Sequence, residues 1–158
     1  TPNFLVAGIP FVIASPFSKR LEYLAQMTEK WQQLLSLEDK ISNRMDHVKI
    51  GIIKGLVPSL DQDVLDDSID YVAAVPVSRK ELLPSPLQFF EIPGGQFAVF
   101  QYLGFHEQTQ FIIDFIYSTW LPNSDFKRRE GVEFTRLDHS EQVLDRVTSN
   151  VQYWLPIE

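Results

Sequence analysis

A chain of 158 residues, 44% apolar and 13% aromatic, is long enough to bury a sizeable core in one unit. Its 14 basic and 21 acidic residues leave a net charge of −7, which repels phosphate backbones and argues against sequence-independent nucleic-acid binding. The absence of cysteine excludes disulfides, thiolate metal sites and a cysteine nucleophile.

Phe4 to Ile13 reads as the first strand, with Pro10 favouring an edge or a bulge. The run Phe4 to Ala14 is apolar enough for a signal-peptide core. However, no basic segment precedes it, and its β-branched residues with Gly8 and Pro10 fit a strand better. No apolar run approaches the roughly 18 residues of a membrane span, so the sequence predicts a soluble, cytoplasmic protein. Ser15-Pro16 then supplies an N-cap and a first helical residue. Leu21, Leu24, Met27, Trp31, Leu34 and Leu35 follow at helical spacing and mark the expected buried stripe. His47 to Leu56 and Ile69 to Val77 read as two strands. The loop between them carries Asp61, Asp63, Asp66, Asp67 and Asp70 but lacks the turn glycine and closing glutamate of a calcium loop. It is read as a solvated acidic loop.

The second half repeats this order. Phe97 to Leu103 reads as a strand and Glu107 to Leu121 as a helix, which Pro122 is expected to end. Val132 to Leu137 and Val151 to Ile157 read as the last two strands. Tyr71 through Ala74-Val75-Pro76-Val77 closes the first unit as Tyr153-Trp154-Leu155-Pro156-Ile157 closes the second. The expectation is therefore strand–helix–strand–strand written twice in one domain over 1–158, with repeats over about 1–80 and 88–158. Each unit alone would leave an apolar sheet face uncovered, and pairing the two covers it.

Catalytic and metal patterns are poor. His47, His106 and His139 share no metal-ligand spacing. No nucleophile elbow or phosphate-cradling glycine loop occurs, and Gly94-Gly95 is read as a turn. No metal, cofactor or catalytic residue is expected.

The segment Ile92-Pro93-Gly94-Gly95-Gln96-Phe97-Ala98, the helix end Trp120-Leu121-Pro122 and the closing Pro156-Ile157 together resemble the GyrI-like small-molecule-binding family, also known as the AraC-type effector-binding domain. The likeness is close in the second half and looser in the first. It implies an α+β fold in which a duplicated β-α-β-β unit curves its antiparallel sheet into a partly closed barrel, flanked by two helices and related by a pseudo-two-fold axis. It also implies a ligand cleft between the halves. Members are often fused behind a helix-turn-helix region; this chain begins at its first strand, so no direct DNA contact is expected.

Family members usually place a glutamate facing the pocket in the strand corresponding to Val132 to Asp138, where it meets the ligand's positive charge. Alternation puts Glu133, Thr135 and Leu137 on one face and Val132, Phe134 and Arg136 on the other. Two alignments are open: one makes Glu133 the acid, the other puts Thr135 in its place. A buried carboxylate is costly and an incoming cation relieves that cost. Aromatic walls add cation–π attraction of about 0.5–2 kcal/mol per contact, and Tyr102, Tyr117, Trp120, Tyr153 and Trp154 are the candidates. In the competing arrangement, Glu133 is a rim residue paired with Arg128, Arg129 or Arg136. The resemblance thus implies multidrug-type binding of amphipathic, aromatic, cationic small molecules, linked to transcription regulation or sequestration, with a homodimer or regulatory protein partner compatible. The alternatives are a small hydrolase on the same scaffold, using Glu133 with Tyr117 or Tyr153, and an acidic inhibitor of a DNA-acting enzyme.

Overall fold

A computed structural model describes residues 2–14, 20–45, 48–54, 68–104, 109–143 and 146–158. Its elements in chain order are β1 (Phe4–Ala14), α1 (Arg20–Leu37) with a closing 3₁₀ turn (Glu38–Lys40), β2 (Val48–Lys54), β3 (Ser68–Pro76), β4 (Gln88–Ile92) and β5 (Phe97–Gly104). Then come α2 (Thr109–Phe115), a π-helical turn (Ile116–Trp120), α3 (Leu121–Asn123), β6 (Glu133–Val143) and β7 (Arg146–Pro156). The seven strands form one antiparallel sheet in the order β4-β1-β3-β2-β6-β7-β5. Apart from β4, that order reads alike from both ends: outer, third, second, then second, third, outer.

The pairing register locates the pseudo-two-fold axis. Gly51 pairs with Ala73 and Thr135 with Tyr153, each partner three residues ahead of the closing Pro76 or Pro156. Gly51 and Thr135 are thus equivalents, and they pair with each other across the β2–β6 seam. The same match puts Lys49 where the second half has Glu133. It also explains why Arg44 bridges to Val77 as Arg128 does to Ile157.

The sheet is open yet strongly curled. Six strand spacings of about 4.8 Å would separate β4 from β5 by about 29 Å if flat, whereas the connector from Ile92 to Phe97 can reach only about 17 Å. The two edges must therefore approach each other. Phe4 on β1 and Phe134 on β6, three strands apart, have ring centroids 5.4 Å apart. The inside of this curl is a second core of Val6, Val48, Ile50, Ile52, Val72, Ala74, Ile92 and Phe134. The outer face carries the helices over the main core, which includes Ile9, Tyr23, Met27, Leu34, Tyr71, Ile113, Ile116, Tyr153 and Leu155.

Several expectations are corrected. The buried stripe of α1 runs through Tyr23, Met27, Trp31 and Leu34, while Leu21 is 82% and Leu35 50% exposed. Tyr23 sets the stripe's phase, and Leu21 and Leu35 fall to its sides; the Leu24 side chain lies outside the described set. Pro122 does not end the second helix, which continues to Asn123. The preceding π turn leaves Pro122 in the first turn of α3, where its missing N–H costs nothing. β4 was not anticipated, and β6 and β7 run longer than expected. Ser15-Pro16, His47, His106 and the aspartates at 61, 63, 66 and 67 lie outside the described residues, as does the His139 side chain. Among the described residues no helix is long and apolar enough to cross a membrane, and no group of residues could hold a metal ion.

Candidate functional site

β6 begins at Glu133, and alternation sends Glu133, Thr135 and Leu137 to the helix-bearing face. Glu133 is 0% exposed. Its Oε1 accepts a hydrogen bond from the Tyr117 hydroxyl at 2.6 Å. Its Oε2 has no hydrogen bond among the described residues and lies 3.6 Å from Nη2 of Arg128. The Tyr153 hydroxyl lies beside the carboxylate and favours its charge, but without the geometry of a full hydrogen bond. Burial pushes the Glu133 carboxyl above its ordinary range, and Tyr117, Arg128 and Tyr153 recover only part of that cost.

Arg128 is fixed from several sides. Its Nε donates to the Tyr117 hydroxyl at 3.2 Å, and its Nη atoms donate to the carbonyls of Arg129 and Gly131. Burial alone would discourage its charge, but Glu133 and Tyr117 keep it firmly protonated. Tyr117 itself is pushed upward, first by burial and then by the Glu133 charge, so it remains a donor. Tyr117 projects from the π turn (Ile116–Trp120); such turns are uncommon and often mark functional positions.

The first half supplies the rest of the site. Tyr71 on β3 accepts a hydrogen bond from Nε1 of Trp31 at 2.9 Å. Its hydroxyl fills the space that Gly51 leaves: a Cβ there would meet Tyr71 Oη at 2.4 Å and Thr135 Oγ1 at 2.7 Å. Tyr23, Tyr71 and Tyr153 are fully buried, with burial as the main cause of their raised pKa values. Tyr102 lies near Tyr23, Tyr23 near Tyr71 and Tyr153, and Tyr153 near Tyr117 and Glu133. All five tyrosines of the chain thus lie on one side of the sheet, two of them, Tyr117 and Tyr153, against the buried carboxylate.

The structure therefore brings Tyr117 and Tyr153 to Glu133, with Thr135 on the same face beside Gly51 and Tyr71, whereas Tyr102 sits on edge strand β5 with its hydroxyl 3.0 Å from that of Thr109. Trp120 packs nearer the edge, against Phe100 at 4.9 Å and stacked on Phe126 at 5.9 Å. Trp154 is not part of the group. It lies on the opposite face, stacked on Phe134 at 5.2 Å, because neighbours along a strand point oppositely. The surface-pair arrangement is half right: Arg128 is the ionic partner, but Glu133 is buried. Sequence reasoning missed Tyr23, Trp31 and Tyr71. Their signal was the phase of the α1 stripe and the tyrosine that opens the phrase ending in Pro76.

Solved structures that share the fold over the whole chain include the following three. SAV2435 bound to tetraphenylphosphonium matches at 12% identity and a TM-score of 0.67, covering 100% of this chain and 90% of the other. An integron cassette protein from the mobile metagenome of Vibrio cholerae matches at 15% identity and a TM-score of 0.63, covering 100% and 92%. EcmrR, solved by cryo-EM in complex with DNA, matches at 10% identity and a TM-score of 0.63, covering 100% and 55%. No curated protein sequence matches this chain. Residues 1–157 match the sequence profile of a family described as Cass2, integron-associated effector binding protein.

Proposed function

Because the chain belongs to the family of integron-associated effector-binding proteins, we propose that its effector is an aromatic organic cation bound at the Glu133–tyrosine centre. The small-molecule role comes with the family; the charge and shape of the ligand are our reading. The observation that carries it is a fully buried carboxylate with one oxygen lacking a hydrogen bond among the described residues, flanked by Tyr117 and Tyr153. A carboxylate so placed costs free energy until a full positive charge reaches it. Arg128, at 3.6 Å and without a hydrogen bond to that oxygen, is the group that the ligand's charge replaces. The tyrosine rings then supply cation–π and stacking contacts. The tetraphenylphosphonium held by SAV2435 supports this choice of chemistry. EcmrR's complex with DNA supports a transcriptional setting, with DNA contact left to a partner because this chain carries a net charge of −7.

Titrating tetraphenylphosphonium and the neutral triphenylphosphine oxide against tryptophan fluorescence tests the reading. Glu133→Gln is expected to weaken the cation by about 1–3 kcal/mol, the cost of losing a desolvated charge partner, and the neutral compound by less than about twofold. Thr135→Ala should change neither greatly. Equal losses for both compounds, or a dominant effect at Thr135, would sink the assignment of Glu133.

A further inference from the structure

We infer that the concave side of the sheet holds a second ligand site, for a small aromatic carboxylate, anchored by Arg136. β6 sends Phe134 and Arg136 to the face opposite Glu133 and Thr135. There a cleft of about 290 Å³ is lined by Phe4, Val48, Ile50, Phe134 and Trp154, and Arg136 is its one charged side chain among the described residues. Its floor is an aromatic cluster. Phe134 stacks on Trp154 at 5.2 Å and meets Phe97 edge-on at 5.5 Å, while Phe97 and Trp154 lie 5.6 Å apart.

Arg136 is half-buried, yet no carboxylate among the described residues pairs with it. Asp138, the next residue on that face of β6, is exposed and makes no ion pair with it. The contrast within the chain is informative. Arg44 is matched to Glu38, Arg79 to Glu81 and Arg128 to Glu133, and Arg129, which has no carboxylate either, donates to the carbonyls of Ile157 and Gln96; acidic residues outnumber basic ones by 21 to 14. An arginine left unmatched over an apolar cleft in so acidic a chain is placed to receive an anion from outside. The guanidinium presents a planar fork that fits a carboxylate in two parallel hydrogen bonds. The apolar walls and stacked rings select an aromatic body, and the volume, at the lower end of ligand pockets, limits it to one or two fused rings. This site shares no side chain with the Glu133 centre and has the opposite charge preference.

The probe is 2-naphthoate, followed by ¹⁵N-resolved NMR, with 2-naphthylmethanol as its neutral counterpart. The Trp154 indole N–H, which donates to Gln152 Oε1 at 3.1 Å, reports from the cleft floor. We expect saturable shifts of that resonance and of the Val48, Ile50 and Arg136 amides. Arg136→Gln should weaken naphthoate at least tenfold and the alcohol less than twofold, with Arg136→Lys between wild type and Gln. Glu133→Gln should leave naphthoate unaffected, which separates this site from the cation centre. Shifts that do not saturate, equal affinities for acid and alcohol, shifts centred on Tyr117 and Glu133, or indifference to Arg136→Gln in a folded variant would each overturn the assignment.

Discussion

Burial disfavours the charge on Glu133, and that has a consequence for stability. Its folded-state pKa is raised, chiefly by burial. Between the ordinary carboxylate range and this raised value, the native state retains a proton that the unfolded chain has released. The contribution is therefore present at low pH and is lost as pH rises through that window. Urea denaturation from about pH 4 to 8 should show wild type losing stability relative to Glu133→Gln, because Glu38 and the other carboxylates are common to both. A pH-independent difference between the two proteins would disprove the raised pKa. At this scale the site was partly legible: strand parity put Glu133 and Thr135 on one face. The same parity separates Tyr153 from Trp154, so only one of that pair could join the carboxylate. Arg128 lies in a segment without regular periodicity, and nothing in its neighbours announces that it turns inward.

Where β2 meets β6, the two halves join backbone to backbone at Gly51 and Thr135. The seam has no room for a side chain on β2, since Tyr71 and Thr135 already fill it. Gly51→Ala is expected to cost about 1–3 kcal/mol, the range for forced overpacking, and to break the Trp31–Tyr71 hydrogen bond. Combining it with Tyr71→Phe should recover part of the loss, because the closest clash is with the hydroxyl oxygen. A double variant no more stable than Gly51→Ala alone in chemical denaturation would contradict this account. The strands that alternate cleanly were legible in the sequence, as was the duplication. β4 was not, because Gln88-Phe89-Phe90-Glu91-Ile92 is short, has adjacent aromatics and follows Pro84 and Pro86. The ends of β6 and β7 are polar, through Asp138-His139-Ser140-Glu141-Gln142 and Thr148-Ser149-Asn150; they pair as a hairpin arm without the apolar alternation that marks a strand. The π turn also escaped notice, since its residues keep the periodicity of an ordinary helix.

Across the whole molecule, the inner core draws Val6, Ile50, Ile52 and Val72 from one half and Phe134 from the other, with Phe97 and Trp154 packed against it. Neither half can cover its own concave face. Two pieces divided between Ser78 and Leu83 are expected to be unfolded apart and to regain native circular dichroism when mixed, with a half-transition in the micromolar range or tighter. An isolated piece that unfolds cooperatively would refute this. Duplication usually leaves two copies of whatever the ancestral unit carried, but here the copies have diverged in sign. Where the second half buries Glu133, the first has Lys49, tied to Glu38, which Lys49 and Arg44 hold below its ordinary range against the cost of burial. One end of the scaffold is thus closely neutralised from within, and at the other Arg128 stands 3.6 Å from the carboxylate without a hydrogen bond to its Oε2. A symmetrical frame has acquired a head and a tail, so the cation proposed above is expected to enter in a single orientation and to saturate at one equivalent per chain rather than two.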